Sequence, residues 1–399
     1  MKYLALPGLL IVLPLAGQTS PVPISVNNQV LAAVRYDSAH TPVYVEIFPN
    51  STYKPDEGDA SNAGTTAWAA KQLTHGGTIF VHAGNYTVGT SITISTAGTS
   101  LICANPAAAV FAAAPGLNSI MFKIGWAGAQ RQGMVVRDCG FAGAMGSQTS
   151  GTILHVRDTS NALIENNFIR FAKQFGIVLE ATIPGVAVQN HLVGNSIYEC
   201  GSACLEILGV TTDNIVDRNT IGGSDFGDHA SPWVYITAAN GLQFTNNHVW
   251  GTDHNEGLEF DAVGKSGVLI SHNVIETVGG SAIYFNANES QIVDNNFYGT
   301  GTWSQGAYAA IELDQCAGML VSGNRVTGWY TTQDGVRMDH GASESLVANN
   351  VFRQLTGTAV SVIGRDATNN AIGMNVYTDV GSALLNSGTH TVLAATQAQ

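Results

Sequence analysis

Five carboxylates and one guanidinium crowd into three short apolar stretches: Glu259 with Asp261, Glu312 with Asp314, and Arg337 with Asp339. In each stretch one apolar residue separates the two polar ones, as in Gly257-Leu258-Glu259-Phe260-Asp261. In an extended strand that spacing sends both polar groups to one face and Leu258, Phe260 and their equivalents to the other. Ala282-Ile283-Tyr284-Phe285-Asn286 alternates in the same way and adds Tyr284 and Asn286 to the polar face. Paired carboxyl groups on one surface suit acid–base chemistry, in which one protonates a leaving oxygen while the other activates water or attacks carbon. Asp314 and Asp339, on adjacent strands, are the expected pair, with Glu312, Glu259 and Asp261 within one or two strands. Arg337 would favour ionisation of its carboxylate neighbours and bind a substrate hydroxyl or carboxylate. Because repelling carboxylates add no stability, Asp314→Asn and Asp339→Asn are expected to remove activity while leaving the fold as stable as before or more so. The plainer alternative is a solvated polar face in which Arg337 bridges Glu312 or Asp314.

Aromatic residues gather around the same stretches. Trp250, Trp303, Trp329 and Tyr330 lie in segments leading into them, while Trp233, Tyr235 and Tyr284 lie on or beside them. Rings bordering an acidic groove suit the apolar faces of sugars, so these residues and Asn286 are the expected substrate contacts. His254 and His340 adjoin the acidic strands as proton-transfer partners or substrate ligands. His229, with Asp225 and Asp228, fits an ordinary polar loop, with a metal site as the alternative. No HExxH, phosphate-binding glycine loop or Ser-His-Asp order is present.

The elements that would position these residues are written as a repeat. Asn167, Asn195, Asn219, Asn247, Asn273, Asn296, Asn324, Asn350 and Asn375 recur every 23 to 28 residues, in copies such as IENNFI, TNNHVW, DNNFYG and ANNVFR. A period of that length, with short alternating strands and no helical pattern, predicts an all-β parallel solenoid whose coils stack about 4.8 Å apart. Each Asn is expected at the same bend, its amide bonding turn backbone that would otherwise be buried unpaired. Strands starting at Gly176, Cys204, Trp233, Gly257, Ala282, Ala310, Gly335 and Ala359 then form one sheet. Its outward columns run Val178, Glu206, Tyr235, Glu259, Tyr284, Glu312, Arg337, Ser361 and Glu180, Leu208, Thr237, Asp261, Asn286, Asp314, Asp339, Ile363.

Composition agrees with this organisation. The chain has 399 residues, 45 Gly, 11% charged residues and a formal net charge of -13. Only 16 Lys and Arg speak against nucleic acid as a partner, because phosphate binding needs clustered cations. Residues 1–17 carry Met1-Lys2 and an apolar run from Leu4 to Ala16, too short to span a bilayer and expected to be an export signal, giving a secreted protein with no membrane partner. Residues 18–57 form a β-prone segment, and 58–399 a single solenoid domain opened by a short amphipathic helix within 59–73. That helix is expected to cap the open strand edge. The five cysteines, Cys103, Cys139, Cys200, Cys204 and Cys316, are expected chiefly as free thiols in the core, with a local Cys200–Cys204 disulfide as the alternative.

The helix followed by Gly76-Gly77-Thr78-Ile79-Phe80-Val81-His82-Ala83-Gly84-Asn85-Tyr86-Thr87-Val88 and the Asn-rich repeats resembles the entry to the right-handed parallel β-helix of the pectin lyase-like superfamily, over roughly residues 58–393. That resemblance implies a cleft on one sheet and an activity on polysaccharide, and it spans hydrolases, lyases, epimerases, transferases and stalk proteins. The NTD, DD, GHG and RIK motifs of its polygalacturonate hydrolases are not intact here; Val336-Arg337-Met338-Asp339 echoes only the last. YECGSACLEILG at 198–209 and IELDQCAGMLVSGNRVTGWY at 311–330 are similar to inulin fructotransferases of the same fold. The expectation is a secreted glycoside hydrolase acting on a polysaccharide or oligosaccharide, without a required cofactor. The alternatives are a Ca²⁺-dependent lyase or epimerase using Arg337 or Lys265 as base, a fructotransferase-like enzyme, and a non-catalytic glycan-binding protein. An oligomer is compatible with any of these.

Overall fold

A computed structural model describes residues 2–6, 9–13, 21–26, 29–49, 54–126, 128–223, 231–251 and 255–393. The chain divides into two compact units, residues 1–196 and 197–399. In the first unit, Lys2–Leu6 and Leu9–Leu13 form an antiparallel hairpin, and the second of these strands pairs with Val22–Val26. The meander continues through Gln29–Tyr36 to Pro42–Ile47. Pro42–Ile47 then pairs in parallel with Gly77–Val81, which joins the N-terminal β-rich segment to the first coil. Helix Thr66–Gln72 starts at the N-cap Thr65, whose hydroxyl accepts from the Trp68 N–H. It packs on Pro42–Ile47, Gly77–Val81 and Ile92–Ile94. From there most coils are built on three short strands, one in each of three parallel rows, as in Thr99–Cys103, Ala109–Ala113 and Phe122–Ile124.

The second unit repeats the plan. Row A includes Gln243–Thr245, row B His248–Gly251 and row C Leu258–Phe260. Row A pairs with its equivalents Ile215–Asp217 and Leu269–Ser271, and row B with Thr220–Gly223 and Val274–Glu276. The core is the inward half of this alternation, and Leu258, Phe260, Ile283, Phe285, Ile311, Leu313, Val336 and Met338 are all fully buried. No helix among the described residues is long and apolar enough to cross a membrane.

Between rows A and B the asparagines stack as expected. The side-chain carbonyl of Asn273 accepts from the Asn247 backbone N–H at 2.8 Å and from its amide at 3.2 Å, while Asn273 Nδ2 donates to the Phe244 carbonyl at 2.9 Å. Equivalent bonds link Asn219 to Asn247 and run from Asn273 through Asn324 and Asn350 to Asn375; in the first unit they link Asn167 to Asn195. The residue before most ladder asparagines takes a left-handed φ, for example 55° at Asn246, 57° at His272 and 59° at Asn349, which turns the chain sharply. One expected rung is wrong. Asn295 occupies the ladder, and Asn296 begins the next strand, opposite Val274 and Arg325. Either member of the Asn295-Asn296 dipeptide satisfies the repeat pattern, but only Asn295 keeps Phe297 pointing inward. A second ladder at the other end of row A was not foreseen: Ser290 accepts from the Val268 N–H, Ser345 from Met319 and Asn370 from Ser345.

Asn273→Ala removes the partner of a buried N–H and of a buried carbonyl, each worth about 1–3 kcal/mol when left unsatisfied. The urea midpoint should fall by the equivalent of ~3 kcal/mol with an unchanged m value, whereas Asn296→Ala should move it by a small fraction of that.

The cysteines are paired more than expected. Cys103 and Cys139 form a disulfide with Cα atoms 4.9 Å apart, Cys200 and Cys204 form another at 5.3 Å, and only Cys316 is free and buried. Cys103 ends strand Thr99–Cys103 and Cys139 follows strand Val135–Arg137 on the neighbouring coil, so stacking brings together two residues 36 apart in sequence.

Candidate functional site

Row C of the second unit carries the acidic stretches in the register read from sequence. Glu206, Tyr235, Glu259, Tyr284, Glu312, Arg337 and Ser361 are direct neighbours on successive strands. In the second column Asp314 lies opposite Asp339. Coil spacing of about 4.8 Å makes these columns continuous surfaces. Several outward residues are nevertheless covered: Glu206, Asn286, Asp314 and Ser361 are each less than 9% exposed.

Three networks organise the face. Asn286 Nδ2 donates to Asp261 at 2.7 Å while its carbonyl accepts from the Ala262 N–H, which fixes the Asp261 carboxylate. The Tyr284 hydroxyl donates to Asp314, whose other oxygen lies 2.8 Å from His340 Nδ1; Asp339 accepts from the His340 N–H. Asp339 and Asp314 together raise the His340 pKa, with Asp339 the largest influence. Ser281 donates to Glu312 at 3.2 Å.

The third network corrects the reading of Arg337. Its Nε and Nη2 donate to Asp334 at 3.2 and 3.1 Å, Nη2 to Gln333 at 2.6 Å, and both terminal nitrogens to the Ala307 carbonyl. Asp334 is 5% exposed and also accepts from the Thr358 N–H and the Ser361 hydroxyl. Arg337 is thus clamped by Asp334 and bridges neither Glu312 nor Asp314. Asp334 and Gln333 were missed because they precede the alternating stretch; Asp334, three residues before Arg337 at the start of the strand, was the available signal.

Glu259 is set apart by its environment. Burial first, then the charges of Glu256 and Asp261, raise its pKa from 4.5 to about 7. It stands between the half-buried Tyr235 and Tyr284. Burial, then Glu259, Asp261 and Glu206, raise the Tyr235 phenol; burial, then the bond to Asp314, raise that of Tyr284. At neutral pH Glu259 can deliver a proton beside Asp261, two residues further along the chain and just past the end of strand Leu258–Phe260.

The expected aromatic contacts divide. Tyr235 and Tyr284 line the acidic face. Trp233 is 1% exposed and packs beneath Gly251, where an added Cβ would lie 2.3 Å from the indole nitrogen, so it is core rather than a substrate contact. Trp250 stands on row B, 6.2 Å from Tyr198 between ring centroids. Trp329 also turns to row B and lies 6.2 Å from Tyr298, and the Tyr330 hydroxyl donates to Asp379. Trp303 is 62% exposed in the segment preceding Ala309–Asp314. Trp303, Trp329 and Tyr330 were assigned to the acidic face by sequence proximity, but the direction in which a loop leaves its strand is not encoded by alternation; Trp250 is instead an outward residue of a row B strand. His340 does reach the site; His254, like His229, Asp225 and Asp228, lies outside the described residues. Among the described residues no group of three or more His, Cys, Asp or Glu side chains converges as a metal site.

The first unit has an outward cluster that sequence reasoning also missed. His155 Nε2 is 2.9 Å from Glu180, Trp126 meets the His155 ring edge-on at 5.1 Å, and the Arg157 guanidinium lies 4.5 Å above Trp126. Burial lowers the His155 pKa against the opposing pull of Glu180.

Residues 232–397 match a family model described as right handed beta helix region. No curated protein matches the sequence. Among solved structures, the catalytic unit of a GH87 α-1,3-glucanase from Streptomyces thermodiastaticus strain HF3-3 is similar with a TM-score of 0.63 at 13% identity, over 86% of this chain and 67% of that one. The A-module of the mannuronan C-5 epimerase AlgE6 from Azotobacter vinelandii gives a TM-score of 0.57 at 13% identity, over 86% and 97%. A GH87 α-1,3-glucanase catalytic domain in complex with tetrasaccharides gives 0.58 at 12%, over 91% and 69%. The chain therefore has the right-handed parallel β-helix fold, and these structural neighbours are carbohydrate-processing enzymes.

Proposed function

We propose that the chain is a secreted glycoside hydrolase in which Glu259 is the general acid and Asp261 its partner carboxylate. The observation that carries this reading is the pKa of Glu259, about 7, beside Asp261, whose carboxylate is held by Asn286. Two carboxyl groups in environments that keep one protonated are what glycosidic cleavage requires. Glu259 gives its proton to the glycosidic oxygen as the bond to the anomeric carbon breaks, while Asp261 activates water or attacks that carbon. With water supplying OH to one product and H to the other, two free sugar ends result. Two residues of extended chain set them ~7 Å apart by backbone spacing, on the scale of such pairs. Glu312 and Asp314, two coils away, and His340, three coils away, would hold hydroxyl groups, and Tyr235 and Tyr284 would contact sugar faces.

A neutral glycan fits better than a polyuronate. The face is acidic, and its one arginine already donates to Asp334, Gln333 and Ala307, so it is neither a free base nor a free carboxylate ligand. This weighs against the lyase and epimerase reading. The disulfides support export to an oxidising compartment.

A panel of neutral and uronate polysaccharides, followed by reducing ends and by absorbance of unsaturated products, tests the proposal. New reducing ends from a neutral glycan without unsaturation are expected. Unsaturated, EDTA-sensitive product from a uronate would replace hydrolysis with elimination, and no product from any polysaccharide would leave a binding protein.

A further inference from the structure

Row B of the second unit presents aromatic rings away from the acidic columns. Trp250, Glu276 and Tyr298 are direct neighbours on successive strands, which places Trp250 and Tyr298 two coils, or ~10 Å, apart along the solenoid. Tyr198 leans toward Trp250, and Trp329 toward Tyr298, each pair with centroids 6.2 Å apart. Trp329 lies over Gly299, where an added Cβ would be 2.2 Å from the indole, so glycine there makes room for the ring.

The exposed rings are held at a conformational cost. Trp329 and Tyr330 are consecutive bulky residues with φ of 49° and 60°, a region such side chains rarely occupy. Both are about half exposed, so burial of the rings does not offset that strain. Fixed, half-exposed rings suit a ligand with flat apolar faces. Between them Glu276 lies 3.0 Å from His248, giving polar groups beside the rings that can bind hydroxyls.

We propose that this row is a second glycan-binding site, a platform on which an extended neutral polysaccharide chain lies along the solenoid with sugar faces on Trp250, Tyr298 and Trp329. An extended chain fits because the rings follow the coil axis, whereas a compact ligand would need a pocket. The platform shares with the hydrolase reading only the class of ligand, and its function is to hold polymer rather than to cleave it.

The test uses affinity electrophoresis of the full chain carrying Glu259→Gln, in gels containing the neutral polymers pullulan, laminarin or arabinoxylan, or the charged polygalacturonate. Retardation by at least one of the first three is expected, with Trp250→Ala and Trp329→Ala each weakening apparent affinity about tenfold. Trp329→Phe, which keeps a flat ring, should retain most of it. Melting temperatures identify any variant that has lost its fold. No retardation in any gel, or retardation indifferent to both alanine variants, overturns the platform. So does a dimer in sedimentation that Trp329→Ala dissociates, since the rings would then face a second copy. Failure of the cleft is read separately, as absence of product from the unsubstituted chain.

Discussion

Glu259→Gln is expected to lower turnover by roughly 10²- to 10⁴-fold, the usual contribution of a positioned proton donor. The amide preserves shape and cannot release a proton, so binding of oligosaccharide should survive. The pH dependence carries the same signature. With its pKa raised to about 7, Glu259 holds its proton through mildly acidic conditions and loses it above neutrality. Activity should therefore fall on the alkaline side with a midpoint near pH 7, and that limb should vanish from the residual activity of Glu259→Gln. Stability moves with it. The folded state binds this proton more tightly than the unfolded chain, whose value is near 4.5, so the Glu259 contribution is greatest below pH 4.5 and is lost as pH rises through 7. Melting temperatures between pH 4.5 and 8 should decline less in Glu259→Gln than in the unsubstituted chain. An unchanged alkaline limb would assign the proton donor to another residue.

Asp261→Asn should cost a similar factor, and the double variant with Glu259→Gln should be little worse than either single one, because the two carboxyl groups act as a unit. Its melting temperature should hold or rise, since the substitution removes a negative charge that acts on Glu259. Asp314→Asn is the informative contrast. Its carboxylate is nearly buried and bonded by Tyr284 and His340, so the amide should lower stability as well as activity. This reverses the expectation drawn from like-charge crowding alone, which took no account of those partners. Equal activity losses at Asp261 and Asp314, with neither variant destabilised, would move the reacting centre toward Asp314 and Asp339.

The sequence by itself determined the coil and its two faces. Alternation with period two is local, so it placed Leu258, Phe260, Ile311 and Leu313 in the core and lined up Glu259, Tyr284, Glu312 and Arg337 outside, residue for residue. The asparagine ladder was equally legible, because a buried amide recurring at a bend has few other uses. It slipped only at Asn295 and Asn296, where two adjacent candidates satisfy the same pattern. Tertiary structure decided the rest. Which coil neighbour a loop approaches depends on loop length and exit direction, so Trp233 went inward and Trp329 turned to row B, while Trp250 belongs to a row B strand itself. The pairing of Cys103 with Cys139 arises from stacking, which joins residues that no short window contains, whereas the clamp of Asp334 on Arg337 joins residues three apart whose side-chain contact the strand pattern alone does not reveal. The raised pKa of Glu259 is likewise a property of burial and of Glu256 and Asp261 converging on it, since only three-dimensional proximity can desolvate a carboxyl group.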